Sequence, residues 1–248
     1  MKPYHLILDF THVYDDEICA DREQFSWIDC SDIEGSDLYC SPQAEREIRR
    51  KIEPYGLHGI HFVDHYVTKI FTDQIHRPFS LIVFDHHTDM QQPLMEGMMS
   101  CGDWAGMVLD QNPALQQFIL IGPAEDDIKQ IRTKHLDKLI TFSAEEIRKG
   151  EGVERLKRIH GGVPLYISID KDVLSEQYSE TNWNQGELTL GMLEHMLQYF
   201  LERAPVYGID ICGECSTAIA LPEYFQAEGV NGKTNVELFR FLRSYCCS

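Results

Sequence analysis

The 248-residue chain has few basic residues: 22 Lys and Arg stand against 40 Asp and Glu, for a formal net charge of −18 at pH 7. Such a surface repels phosphates, which argues against a nucleic-acid partner and against docking on anionic membranes. It suits cationic substrates or metal ions. No run of 18 apolar residues occurs, so no membrane span is expected. No secretory leader is expected either, because the apolar stretch that starts at Leu6 already meets an acid at Asp9. The cysteines (19, 30, 40, 101, 212, 215, 246 and 247) lack the spacing of a small disulfide-stapled domain. They are expected to be reduced thiols in a cytoplasmic protein. Cys212-x-x-Cys215 has no second such pair and no ordered His pair beside it, and is read as structural. Internal repeats, low-complexity tracts and Pro/Gly/Ser-rich linkers are absent, so residues 1–248 are expected to form one domain. Its 43% hydrophobic content supplies a core without staples.

Short apolar runs alternate with helical patterns. Strands are predicted at Tyr4–Phe10, Gly59–Val63, Phe79–Phe84, Gln117–Ile121, Leu139–Phe142, Leu165–Ile169 and Val206–Ile211. Several are almost continuously apolar, as strands buried on both faces must be. Ser41-Pro42 opens a helix that ends near Pro54, and Ser143-Ala144-Glu145-Glu146 has the form of a capping box. Leu190–Arg203 and Val236–Leu242 are the later helices. This alternation predicts an α/β fold with a mainly parallel sheet, in which ligands sit beyond the carboxyl ends of the strands.

The chemistry-bearing residues follow those strand ends. After Phe79–Phe84 comes Asp85-His86-His87-Thr88-Asp89-Met90-Gln91-Gln92-Pro93. Residues two apart in extended chain share a side, so Asp85, His87 and Asp89 converge while His86 points away. Two carboxylates and an imidazole are poor core residues when unpaired but good ligands for a divalent cation. A second apolar strand ends in Asp170-Lys171-Asp172, and a third in Asp64-His65. The candidate metal ligands are therefore His65, Asp85, His87, Asp89, Asp170 and Asp172. Six such groups exceed the needs of one ion and suit two ions sharing carboxylates, which together activate water for attack. Oxygen-rich ligation with imidazole and no thiolate favours two Mn(II) per chain, with zinc as the alternative. His58 and His61 are read as local structural residues.

In this order these segments resemble the arginase–agmatinase–formiminoglutamase family, the ureohydrolases. The carriers are Val63-Asp64-His65, the Asp85–Pro93 stretch, Ser168-Ile169-Asp170-Lys171-Asp172 and Gly208-Ile209-Asp210-Ile211-Cys212-Gly213-Glu214, so the likeness runs from about residue 55 to the C-terminus. The resemblance implies a three-layer α/β/α sandwich. It also implies a binuclear manganese centre and hydrolysis of a C–N bond in a small guanidino- or formimino-type substrate by a metal-bridging hydroxide. His65 and Asp89 would serve one metal, His87 and Asp172 the other, with Asp85 and Asp170 bridging. Glu214 would hold the cationic substrate group, with Gln91 and Trp183 also on the substrate side. Trimers or hexamers are common in the family, so a homo-oligomer is expected by the same resemblance.

Some positions depart from the family pattern. Where the family carries a proton-shuttling histidine, Cys101-Gly102-Asp103-Trp104-Ala105-Gly106 has Ala105, leaving Asp103 or His12 as stand-ins. Glu214 follows Asp210 by four residues where the family's acid follows by three. Trp104 and Trp183 are expected in loops at the rim. Two further readings stay open: a single-zinc amidohydrolase of the deacetylase type, and a regulatory or metal-binding member of the fold without catalysis.

Overall fold

A computed structural model describes residues 5–14, 23–95, 97–216 and 219–246. The strands are β1 (His5–Asp9), β2 (Phe25–Asp29), β3 (Tyr39–Cys40), β4 (Ile60–Phe62), β5 (Phe79–Phe84), β6 (Met99–Ser100), β7 (Leu115–Ile121), β8 (Leu139–Phe142), β9 (Leu165–Asp170) and β10 (Val206–Cys212). The helices are α1 (Pro42–Ile52), α2 (Val67–Thr72), α3 (Trp104–Gln111), α4 (Glu125–Ile128), α5 (Ala144–Lys149), α6 (Val153–Leu156), α7 (Leu190–Leu201) and α8 (Leu221–Cys246). Eight strands form one sheet in the order β2-β1-β4-β10-β9-β5-β7-β8, and every pairing in it is parallel. β3 and β6 make a separate antiparallel pair.

The continuous apolar runs have the predicted consequence. β1, β5 and β9 are buried along their whole length. Alternate residues feed two cores: Leu81 and Val83 face Ile48, Ile70 and Val108 of α1, α2 and α3, whereas Ile82 and Phe84 face Leu193, Leu197 and Leu242 of α7 and α8. The result is a three-layer α/β/α sandwich. Local signals fix the helix starts. Ser41 accepts a hydrogen bond from the Ala44 amide at 3.1 Å with Pro42 in the first turn, Ser143 and Glu146 form the capping box, and Thr189 caps α7.

The boundaries and several elements differ from those predicted. β7 begins two residues earlier than expected, and α8 begins at Leu221 rather than Val236. β2, β3, β6, α2, α3, α4 and α6 were not among the predicted elements; the two-residue strands and four-residue helices are too short to carry a period. Tyr4, Cys19 and Cys247 lie outside the described residues. Among the described residues no helix is long and apolar enough to cross a membrane.

Candidate metal centre

Four neighbouring strands at the middle of the sheet, β4, β10, β9 and β5, each end in a metal-ligating type of side chain: His65 just past β4, Cys212 on β10, Asp170 on β9 and Asp85 just past β5. Adjacent strands lie about 4.8 Å apart, so residues at one height on neighbouring strand ends come within a shared coordination sphere. The parallel register pairs Cys212 directly with Asp170 and Ile211 with Phe62.

Two clusters result. In the first, His65 Nδ1 lies 2.5 Å from Asp170 Oδ2, and Cys212 Sγ lies 3.5 Å from that oxygen and 3.7 Å from the imidazole nitrogen. In the second, His87 Nδ1 lies 2.7 Å from Asp172 Oδ2 and 3.6 Å from Asp85 Oδ1. Within each cluster the ligand atoms are no more than 4.8 Å apart. The backbone locks the carboxylates. His87 N–H donates to Asp85 Oδ1 at 2.5 Å, Asp172 N–H to Asp170 Oδ1 at 2.9 Å, and His86 N–H to Asp172 Oδ1 at 2.9 Å. The chain can turn this tightly after β5 because Gly122 lies alongside: a Cβ there would sit 2.4 Å from the Asp85 carbonyl oxygen.

Asp89 completes the group. It adopts a left-handed φ of 49°, and its Oδ2 accepts a 2.6 Å hydrogen bond from Trp104 Nε1 while its carbonyl receives the amides of Ala105 and Gly106 at the start of α3. Trp104 is thus a buried anchor of a site carboxylate on a helix, not a rim-loop residue, at 2% exposure. Five of the six ligand candidates named from the sequence fall into the two clusters, with Cys212 joining one of them; Asp89 belongs to neither cluster and lines the same cavity as His65, His87, Asp170 and Asp172. The grouping differs in part from that implied by resemblance: Asp85 falls with His87 and Asp172, while Asp170 falls with His65 and Cys212.

Electrostatics show what this assembly lacks. Asp85, Asp89, Asp170 and Asp172 are at most 8% exposed. Burial, then Asp89 and Asp172, push the Asp85 carboxyl well above its ordinary range. Burial lifts Asp89 to about 7, with His65 opposing and Asp170 reinforcing the rise. Burial and Asp170 also raise Asp172 despite its bond to His87. Hydrogen bonds to the Asp172 and Asp85 carboxylates hold the His87 imidazolium up to about 11. At His65 burial opposes the charge, but Asp170 outweighs it and the pKa is raised well above 6.5. For Asp170 burial is overcome by His65 and the carboxyl is lowered. Two imidazoles cannot balance four carboxylates, and the Lys171 ammonium between Asp170 and Asp172 turns away to Glu214 and Asn235. Buried like charges at this separation call for divalent cations, and the oxygen, nitrogen and sulfur donors fit them.

The remaining candidates lie around two adjoining cavities of about 260 and 220 Å³ that share Leu38, His65, Cys101 and Trp183. Gln91 lines the smaller one beside His87, Asp89 and Asp172. Trp183 lines both, 41% exposed, its ring 6.4 Å from that of His87. Two expectations change. Asp103 is 3% exposed, its carboxylate accepts the Ser100 amide at 2.8 Å, and it is not among the residues lining either cavity, so it braces the turn into α3 and does not face the reacting centre. Glu214 borders the larger cavity, but its Oε1 is taken by the fully buried Lys171 ammonium and by Asn235 Nδ2 at 2.7 Å. Its charge is already spent inside the chain. The preceding Gly213 has a left-handed φ of 85°, and a Cβ there would lie 2.4 Å from Asp170 Oδ1. Ala105 is fully buried within α3. His12 is mostly exposed and pairs with Asp9 at 3.2 Å. His61, as expected, is structural, buried against Phe71.

This geometry can be set beside known proteins. The model of the arginase family matches residues 11–216, which is most of the chain. The chain belongs to the arginase family. An uncharacterized protein of Thermotoga maritima is 30% identical over 226 residues, covering 86% of this chain and 81% of that protein. The fold is similar to formimidoylglutamase from Bacillus subtilis, with a TM-score of 0.67, 14% identity and coverage of 98% and 88% of the two chains. It is also similar to a triple mutant of an arginase-like protein of T. brucei bound with Mn2+, with a TM-score of 0.60, 16% identity and coverage of 99% and 91%. These likenesses place the sheet and layers in the arginase-like fold.

Proposed function

We propose that this arginase-family chain is a binuclear metal-dependent hydrolase that cleaves a C–N bond in a small cationic guanidino- or formimino-type molecule. The observation that carries the reading is the pair of ligand clusters at the ends of β4, β10, β9 and β5, where three buried carboxylates and two imidazoles lie within ligand distance and the buried Asp89 borders the same cavity. Two divalent ions held there, manganese or zinc, would supply an activated water and polarise the amidine-type carbon. Asp85, His87 and Asp172 would hold one ion and His65 and Asp170 the other, with Asp89 beside them on the same cavity, its carboxylate held by the Trp104 indole.

The protein's own groups then do the binding. Asp37 and Asp64 border the larger cavity together with Phe10, Tyr14, Tyr66 and Trp183, an arrangement that receives a planar cation by charge and by ring faces. Gln91 and Trp183 border the side next to His87 and limit the size of what can enter. A single-ion deacetylase site would leave one of the two clusters without use. A metal-binding role without turnover draws support from one feature: the usual shuttle position is Ala105, buried in α3, and Asp103 is held by Ser100.

The test is a screen of guanidino and formimino compounds for release of urea, ammonia or formamide by the Mn(II)- and Zn(II)-loaded chain, with Asp85→Ala as the control. Turnover that requires Asp85 supports the hydrolase; two bound ions with no turnover on any compound favours the non-catalytic member of the family.

A further inference from the structure

We infer that the two metal positions are chemically unequal, because Cys212 ligates the ion held by His65 and Asp170. This rests on the binuclear reading above. In tetrahedral coordination with bonds of about 2.0–2.1 Å to nitrogen or oxygen and about 2.3 Å to sulfur, the edges between a sulfur and a nitrogen or oxygen ligand are about 3.5 Å. Cys212 Sγ stands 3.5 Å from Asp170 Oδ2 and 3.7 Å from His65 Nδ1, which are edges of this size. The third edge, His65 Nδ1 to Asp170 Oδ2, is a 2.5 Å ion pair that has to open to about 3.3 Å to admit the ion. The placement follows from the sheet. β10 lies between β4 and β9, and Cys212 is in register with Asp170, so both side chains leave the same face at the same height. Cys212 is 3% exposed, and the Gly213 turn behind it leaves no side chain between the sulfur and Asp170.

On binding, the thiol gives its proton to solvent and the sulfur donates its freed electron pair to the ion. The first position therefore has an imidazole, a carboxylate and a thiolate; the second has an imidazole and two carboxylates. The softer set selects zinc or cobalt(II) over manganese, while the harder set accepts manganese. A mixed pair with zinc beside Cys212 is the expected resting composition when both metals are supplied.

Cobalt(II) tests this without any substrate. The whole chain, stripped of metal and reconstituted with Co(II), should bind two ions and show a near-ultraviolet sulfur-to-cobalt charge-transfer band. The band should vanish in Cys212→Ser and in Cys212→Ala, and persist in Cys101→Ser and Cys215→Ser. In competition between Zn(II) and Mn(II), the preference for zinc should fall about tenfold or more in Cys212→Ser, the scale on which metal sites respond to altered ligation. Two bound cobalt ions without the band, or a band that survives Cys212→Ala, would overturn thiolate ligation and leave the binuclear reading standing. Failure of the wild-type chain to bind any cobalt would overturn both.

Discussion

Replacing Lys171 with Met isolates the buried ion pair beneath the site. The ammonium is fully buried and bonded to Glu214 Oε1 and, at 2.8 Å, to Asn235 Oδ1; the Glu214 side chain is 12% exposed. Lys171→Met leaves the carboxylate with only the Asn235 amide. Breaking a buried pair from one side costs about 3–5 kcal/mol, and the partial access of Glu214 to the larger cavity places this one near about 3 kcal/mol. For a chain of this size that lowers Tm by about 6–12 °C. The assay is urea unfolding in the presence of a chelator, so that metal linkage does not mask the loss. The added change Glu214→Gln removes the stranded charge and should recover part of the loss, giving a double variant more stable than Lys171→Met alone. A loss under about 1 kcal/mol, or a double variant less stable than the single, would refute the argument that Glu214 is neutralised internally and return it to the list of substrate-binding groups.

Trp104→Phe keeps the ring but removes the donor to Asp89 Oδ2, and should weaken metal affinity about 10–100-fold with little change in fold, measured by titration calorimetry with Mn(II). The metal-free chain should lose stability as pH rises. Asp89, with its folded pKa raised from 3.8 to about 7, binds more protons folded than unfolded across that interval, and His87, raised from 6.5 to about 11, contributes stability that is complete below 6.5 and is lost progressively as pH rises from there toward 11. Scanning calorimetry should therefore show Tm falling from about pH 5 to about pH 9 with chelator, and the Tm gain on adding metal growing over the same range because proton loss favours ligation. A metal-free Tm that rises with pH would show that these groups do not face one another.

The parts of the fold visible in the sequence are those governed by local pattern. β5 and β9 are continuous apolar runs because helices cover both of their faces, and the acids that end such runs had nowhere to go but a shared ligand. Alternation anticipated the pairing of Asp85 with His87, whereas Asp89 reaches the neighbouring cavity through a left-handed turn that no alternation describes. What stayed hidden depends on strand order and on single-residue offsets. Cys212 enters the site only because β10 lies between β4 and β9, which no periodicity reports. Glu214, at the rim of the larger cavity, is held by Lys171 and Asn235, a pairing across the fold that no local pattern reports. Trp104 reads as a rim residue after Cys101-Gly102-Asp103, yet its indole N–H finds a buried carboxylate contributed by another loop.

The proposed function requires two divalent ions between the middle strand ends of this chain. Elemental mass spectrometry on the chain after incubation with Mn(II) and Zn(II) and desalting, beside Asp85→Ala and Asp170→Ala, addresses it directly. The expected result is two ions per chain, with the pair lost in each variant. One ion per chain, or two that survive both substitutions, would contradict it.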